Sequence, residues 1–193
     1  MSTFATVEKI PGREVWYHRL MAYARGRGND DALACMFASW MTGDGVLPRS
    51  WGLSCNAFAE LMDYHFPGFD GFADPPAAVN SDDLRGAEVE DLVGLMTGHR
   101  AGVSPSELWT ARIVAVGCLG SDHLWQDLGL WSRAELSALM ERNFPTLAAK
   151  NVHNMKWKKF LYKQLCIGEG VYVCRAPSCE VCADYDACFG PED

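Results

Sequence analysis

Four cysteines stand within fifteen residues near the C-terminus, Cys174, Cys179, Cys182 and Cys188, with four, two and five residues between them. Closely spaced thiolates repel one another unless cations neutralise them, so such a run is typical of a zinc site or an iron–sulfur cluster. Structural zinc usually has two Cys-x2-Cys pairs, whereas only Cys179 and Cys182 form one here. The first three cysteines match the spacing of plant-type ferredoxins. The motif therefore favours an iron–sulfur cluster, with zinc as the alternative.

The N-terminal residues bear on the cellular compartment. Residues 1–10 mix polar and apolar side chains, without the basic start and long apolar run of a secretory signal. Thiols in the cytoplasm stay reduced, so we expect the clustered cysteines to bind metal instead of forming disulfides. No stretch approaches the ~18 consecutive apolar residues that cross a bilayer. These features predict a soluble, cytoplasmic protein.

Size and net charge exclude one class of function. The chain has 193 residues, of which 49% are hydrophobic, enough for a substantial core. Its net charge is −8, so it lacks the broad basic surface that phosphate neutralisation requires. A nucleic-acid-binding protein is therefore not expected, and the seven tryptophans are interpreted as core residues.

Apolar residues recur with helical spacing along most of the chain, and the alternation typical of strands is nearly absent. We therefore predict an all-α fold, a multi-helix bundle. The predicted helices cover 14–25, a segment from Asn29 or Asp30 to Gly43, 56–66, a segment from Asp82 or Asp83 to about 99, 104–116, a segment from Ser132 to Pro145, and about 152–166, with a loop at 68–80.

Two of the predicted helices begin with a capping box. Ser104 and Ser132 are each followed three residues later by a glutamate, Glu107 and Glu135, and Pro105 suits the first helical position. A second recurrence, Leu-Met-x3-Phe-Pro, occurs at 61–67 and again at 139–145. It indicates either a duplicated helix pair or the chance recurrence of a common apolar helical pattern.

We divide the chain into a helical domain, 1–166, and a cysteine-rich cluster-binding segment, 167–193. Glycine and proline punctuate the second part, as is typical of a loop that wraps a cofactor; they are Gly168, Gly170, Pro177, Gly190 and Pro191. Without metal nothing holds the thiolates together, so we expect residues beyond about 167 to be mobile or differently arranged in the metal-free protein.

Two flanking strings extend the motif. They are CLGSDHLWQDLGL from Cys118 to Leu130 and MKWKKFLYKQLC from Met155 to Cys166. In this order, with the Cys-x4-Cys-x2-Cys-x5-Cys run, they resemble the NifQ family of nitrogen-fixation proteins. The resemblance covers the chain from about Ala34 to Pro191.

The resemblance implies a carrier of a molybdenum–iron–sulfur cluster that supplies molybdenum for assembly of the nitrogenase iron–molybdenum cofactor. It further implies delivery to the cofactor-assembly scaffold NifEN, with the nitrogenase iron protein NifH taking part, and molybdate as the source of the metal. Three cysteines would hold the irons, while the fourth thiolate or an oxygen or nitrogen ligand would cap molybdenum.

Other residues are candidate accessory ligands. His123, at a predicted helix end, would supply a molybdenum ligand or a hydrogen-bond donor, or else is a packed or capping histidine. Cys166 is either a transient ligand during metal entry or an inert buried thiol, and the same alternatives apply to Cys118. Cys35 and Cys55 lie on predicted helices among apolar residues, so both are expected in the core.

A basic stripe precedes the cysteine segment. Lys156, Lys159 and Lys163 share one face of a predicted helix, with Lys158 nearby. These lysines would attract molybdate, stabilise an anionic cluster or dock an acidic partner, unless they form an ordinary solvated face.

Motifs of nucleophilic or acid–base catalysis are not found in the sequence. It contains no Gly-x-Ser-x-Gly, no Gly-x4-Gly-Lys and no His-Glu-x-x-His. We therefore expect a metal carrier and not an enzyme. The alternatives from other classes are an iron–sulfur redox protein and a zinc-stabilised interaction module.

Overall fold

The computed structural model describes residues 11–71, 85–168, 170 and 185–192. These residues form helices and, within the described ranges, no strand, so the all-α prediction is confirmed. The helices are α1 Arg13–Met21, α2 Asp30–Thr42, α3 Cys55–His65, α4 Gly86–Thr97, α5 Ser106–Gly117, α6 Leu124–Asp127, α7 Arg133–Asn143, α8 Pro145–Ala148, α9 Trp157–Gly168 and α10 Tyr185–Phe189. Among the described helices, none combines the length and the apolar character that a membrane span requires.

Helix α2 lies at the centre of the core. All of its residues from Ala32 to Ser39 are buried, and it packs against α1 and α7. A helix that is apolar on nearly every side is stable only when other elements surround it. The Phe37 ring makes edge contacts with Trp16, Trp51 and Phe69, which places four aromatic side chains in one cluster.

Helices α3 and α7 have the same length and the same ends. The side chains of Ser54 and Ser132 accept hydrogen bonds from backbone N–H groups three residues later. A phenylalanine is the C-cap residue after each helix, with nearly identical backbone angles, φ −134° and ψ 56° at Phe66 and φ −133° and ψ 55° at Phe144. The repeated Leu-Met-x3-Phe-Pro pattern thus produces the same local structure twice.

A buried polar network joins the ends of these helices. His65, the last residue of α3, lies with its Nδ1 2.6 Å from Asp30 Oδ1 and its Nε2 2.8 Å from Ser106 Oγ. The amide of Asn29 donates to Ser106 Oγ at 2.9 Å and to Asn143 Oδ1 at 2.7 Å, and the Asn143 amide donates back to Asn29 Oδ1 at 3.0 Å. The network holds the N-termini of α2 and α5 against the C-termini of α3 and α7.

The helix predicted at 152–166 begins later than expected, at Trp157. The side chain of Asn151 explains the delay, because its amide donates to Met155 O at 2.9 Å and its Oδ1 accepts from Met155 N at 2.8 Å. Asn154 has a positive φ of 53°, which a helix does not permit. Residues 151–155 therefore form a turn, and α9 extends to Gly168.

Other boundaries also differ from the predictions. α1 ends at Met21, four residues before the expected end, because Tyr23 and Ala24 donate to carbonyls three residues back and tighten the chain into turns. Asp82 and Asp83, the predicted start of the fourth helix, lie outside the described residues. The short helices α6 and α8 have four residues each, too few to produce a periodic pattern.

Gly52 lies where the loop before α3 meets α5. Its φ is +77°, and a Cβ there would lie 2.3 Å from Val116 Cγ2. We expect Gly52→Ala to lower the free energy of unfolding by about 3 kcal/mol, since it adds overpacking to backbone strain. Denaturant unfolding measures the loss.

Gly43 provides the matched control for Gly52. Its φ is +84°, but a Cβ there would meet nothing within 4 Å. Gly43→Ala should therefore cost only the strain, about 1 kcal/mol. Equal losses in the two variants would contradict the close approach of Gly52 to α5.

Candidate functional site

Cys188 is the one motif cysteine within the described residues. It lies on α10 and is half-buried, with its side chain packed against the edge of the core. Cys174, Cys179 and Cys182 lie outside the described residues. We also expected residues beyond about 167 to be mobile or differently arranged without metal, and most of these lie outside the described residues too. Among the described residues, no three His, Cys, Asp or Glu side chains form a group that would hold a metal ion. The four-cysteine site stays a prediction.

Helix α10 is attached to the start of α9 by backbone contacts. The N–H of Lys156 donates to the carbonyl of Cys188 at 2.8 Å, and Lys156 Nζ donates to Asp186 O at 3.1 Å. The chain then turns at Gly190, whose N–H donates to Asp186 O at 2.9 Å. Because these acceptors are backbone oxygens, the hydrogen bonds that hold α10 do not use the Cys188 thiol.

Glu192 anchors the chain beyond α10. Its carboxylate is only 4% exposed, and Oε1 lies 3.2 Å from Arg133 Nη1 and 3.7 Å from His123 Nδ1. Arg133 begins α7, and its Nη2 also donates to the carbonyls of Asn154 and Met155. One guanidinium thus joins the start of α7, the turn before α9 and the segment that carries Cys188.

Lys158 holds α9 against α6. Its Nζ forms an ion pair with the Asp127 carboxylate and donates to Gly120 O at 2.9 Å. The Asp127 side chain is 1% exposed, so the pair is shielded from solvent on the aspartate side. This lysine of the predicted basic stripe has a structural partner, whereas Lys159 and Lys163 are exposed. The stripe is therefore not one uniform solvated face.

A polar cleft of about 490 Å³ opens between α6, α9 and α10. We call it the α9 cleft. Three lysines and one histidine line it, together with two acidic residues. The first set is Lys156, Lys158, Lys159 and His123, and the acidic residues are Asp122 and Glu192. Ala187, the residue before Cys188, also lines the cleft. The cleft thus adjoins the helix that carries the last motif cysteine.

His123 lines the α9 cleft and lies at a helix end, as predicted, because it is the N-cap residue of α6. α5 ends at Gly117, and His123 directly precedes α6, where its N–H donates to the side chain of Gln126 at 3.2 Å. Cys166 is half-buried on α9 near its C-terminal end.

The remaining cysteines divide into core and surface. Cys118 and Cys35 are both 3% exposed, and burial raises the pKa of each thiol to about 12. Such thiols stay protonated and unreactive at neutral pH. The prediction that Cys55 lies in the core is wrong, because it is the first residue of α3 and is exposed there.

Sequence reasoning missed Glu192 and Arg133. They are separated by 59 positions and meet only because α7, α9 and the C-terminal segment converge. Neither belongs to a motif, and a single carboxylate or guanidinium gives no local signal. The basic stripe did indicate this region, since three of its lysines line the α9 cleft.

Comparison with known proteins identifies the family. The NifQ family model matches residues 32–190. The chain is 43% identical to Protein NifQ of Azotobacter vinelandii, over 98% of this chain and 94% of that protein. It is 39% identical to Protein NifQ of Rhodobacter capsulatus, over 78% of this chain and 81% of that protein. No solved structure matches the chain. The chain belongs to the NifQ family.

Proposed function

We propose that the protein is a molybdenum–iron–sulfur cluster carrier that supplies molybdenum for assembly of the nitrogenase iron–molybdenum cofactor. The observation that carries the proposal is the family match across residues 32–190, a range that includes all four motif cysteines. Family membership connects the chain with nitrogen fixation and molybdenum processing.

The donor set suits this cargo. Thiolates are soft anionic ligands that hold the irons of a cluster, so Cys174, Cys179, Cys182 and Cys188 would bind it. Molybdate is a hard oxyanion, and the metal must move into sulfur coordination before it enters a sulfide-bridged cofactor. Thiolates provide such coordination, and α10, which carries Cys188, is held by a backbone hydrogen bond from Lys156 and by the ion pair of Glu192 with Arg133.

Delivery defines the partners in this proposal. The cluster would pass in the cytoplasm to the scaffold NifEN, with the iron protein NifH taking part, and molybdate would be the source of the metal. A carrier of this kind binds and hands over its cargo and catalyses no turnover of its own. Alternatives from other classes are an iron–sulfur redox protein and a zinc-stabilised interaction module.

Metal analysis of anaerobically purified protein, expressed with molybdate, tests the proposal. We expect iron together with molybdenum and visible absorption in the wild type, and joint loss of both metals in a variant with Cys179→Ala and Cys182→Ala. Cys55→Ala, which removes an exposed thiol outside the motif, should keep both. Iron alone would favour the redox protein, and zinc alone the interaction module.

A further inference from the structure

Two lysines of the α9 cleft lack a carboxylate partner among the described residues. Lys156 is half-buried, and among the described residues its ammonium donates only to a backbone carbonyl, that of Asp186. Lys159 is exposed and lines the cleft without an ion pair to any described acid. Lys158, by contrast, is paired with Asp127. In a chain of net charge −8, these two ammonium groups, which have no ion pair to a described acid, add positive charge to a cleft whose own acids are the exposed Asp122 and the Arg133-bound Glu192.

The same cleft already accommodates an anionic oxygen group of the protein. The Glu192 carboxylate lies against Arg133 and His123 with 4% of its side chain exposed. A carboxylate loses water at this depth only where cations and N–H donors replace the lost hydration. Cations beside the cleft therefore stabilise one carboxylate, and Lys156 and Lys159 add two further cations to the cleft lining.

We propose that the α9 cleft binds a tetrahedral, doubly charged oxyanion, which is molybdate if the proposed function holds. Lys156 and Lys159 supply the ammonium donors, and the His123 ring supplies a further nitrogen. An ion in the cleft lies beside α10, since Ala187 lines the cleft and Cys188 follows it. The site would hold the metal in its oxyanion form before transfer to the cysteines.

Ion size decides which oxyanion binds best. The cost of removing a dianion from water falls as its radius grows. Molybdate and tungstate have the same charge and similar size, and both are larger than sulfate. The open cleft of about 490 Å³ has room for the larger ions with part of their hydration. We therefore expect molybdate and tungstate to bind alike and sulfate to bind more weakly.

Equilibrium dialysis of the metal-free, full-length chain against molybdate tests the site, with bound metal measured by elemental analysis. Lys159→Gln should weaken binding about tenfold, the value of one charge-assisted hydrogen bond. Lys163→Gln is the matched control, because Lys163 is exposed on the same helix but does not line the cleft. It should change binding by no more than about twofold, since salt screens a distant exposed charge.

Glu192→Gln tests the cleft in the opposite direction. It removes a negative charge that opposes the incoming ion and keeps the shape of the side chain, so molybdate binding should become about threefold tighter. Unchanged binding in both Lys159→Gln and Glu192→Gln would overturn the inference. Sulfate that competes as well as an equal concentration of molybdate would overturn the assignment to molybdate.

Cys188→Ser separates this inference from the proposed function. Oxyanion binding in the α9 cleft does not use the thiol, so this variant should bind molybdate in dialysis as the wild type does. Dialysis binding that depends on the cysteines and not on Lys159 would refute the cleft and leave the carrier proposal intact. If the variant with Cys179→Ala and Cys182→Ala retained iron and molybdenum, the carrier proposal would be refuted. Dialysis would still show whether the α9 cleft binds molybdate.

Discussion

Replacing Asp30 by alanine should lower the free energy of unfolding by about 4 kcal/mol, which for a chain of this size lowers Tm by about 10 °C. Asp30 is 3% exposed, and its two carboxylate oxygens serve different partners. Oδ1 accepts from His65 Nδ1 at 2.6 Å and Oδ2 accepts from the N–H of Arg27 at 2.7 Å. Alanine leaves the buried His65 donor and the partly buried N–H of Arg27 without this acceptor.

The protonation state of His65 sets the pH for the measurement. Burial lowers the pKa of His65 from its ordinary value of 6.5, and this effect outweighs the opposing influence of Asp30. The folded state therefore favours the neutral ring, and this contribution to stability is full above pH 6.5 and falls as the pH drops below it. Unfolding measured at pH 7.5 reports the hydrogen bonds of Asp30 without this titration.

Asp31→Ala is the control for Asp30→Ala. Asp31 is the next residue in the first turn of α2, but it is exposed and accepts a hydrogen bond from the Tyr17 hydroxyl. Its removal should cost about 1 kcal/mol or less. Equal losses in the two variants would show that the helix N-terminal charge, and not the buried network, stabilises this region.

Local patterns predicted the helices well wherever a cap defined the boundary. Ser132 and Glu135 form the expected capping box, with each side chain accepting from the other's backbone N–H. Glu107 accepts as expected from Ser104 N, although Ser104 Oγ accepts from Ser106 N instead of Glu107 N. Where no cap exists, as before α9, helical periodicity extended the prediction into a turn. The spacing of apolar residues does not indicate the hydrogen bonds between the Asn151 side chain and the Met155 backbone that form this turn.

In the candidate site, the sequence predicted the ligands that belong to one motif, the four cysteines, and not the residues that position them. Four cysteines at such short spacing predict a zinc or iron–sulfur site from the sequence alone, once disulfides are set aside. The anchor of α10 is invisible in the sequence, since Glu192, Arg133 and His123 meet only after folding. Cys55 was assigned to the core because its neighbours are apolar. Its position at the first turn of α3 decides its exposure instead.

Replacing Cys188 by serine should reduce the iron and molybdenum content of the anaerobically purified protein at least about tenfold. A serine hydroxyl stays protonated at neutral pH and is a hard, neutral donor, so it does not replace a thiolate on iron. The fold should change little, because the Cys188 carbonyl keeps its hydrogen bond from Lys156 and serine is close in size to the half-buried cysteine. Elemental analysis gives the metal content, and circular dichroism checks the helices.

The pattern of loss assigns the role of Cys188. Loss of both metals would make its thiolate necessary for the whole cluster, whereas loss of molybdenum with iron retained would place it at the molybdenum corner. Cys55→Ser, an equal change at an exposed thiol outside the motif, should keep both metals. Full metal content in Cys188→Ser would contradict a four-cysteine site. The remaining ligand would then have to come from another side chain, and His123, which Glu192 links to the α10 segment, would be the first to replace.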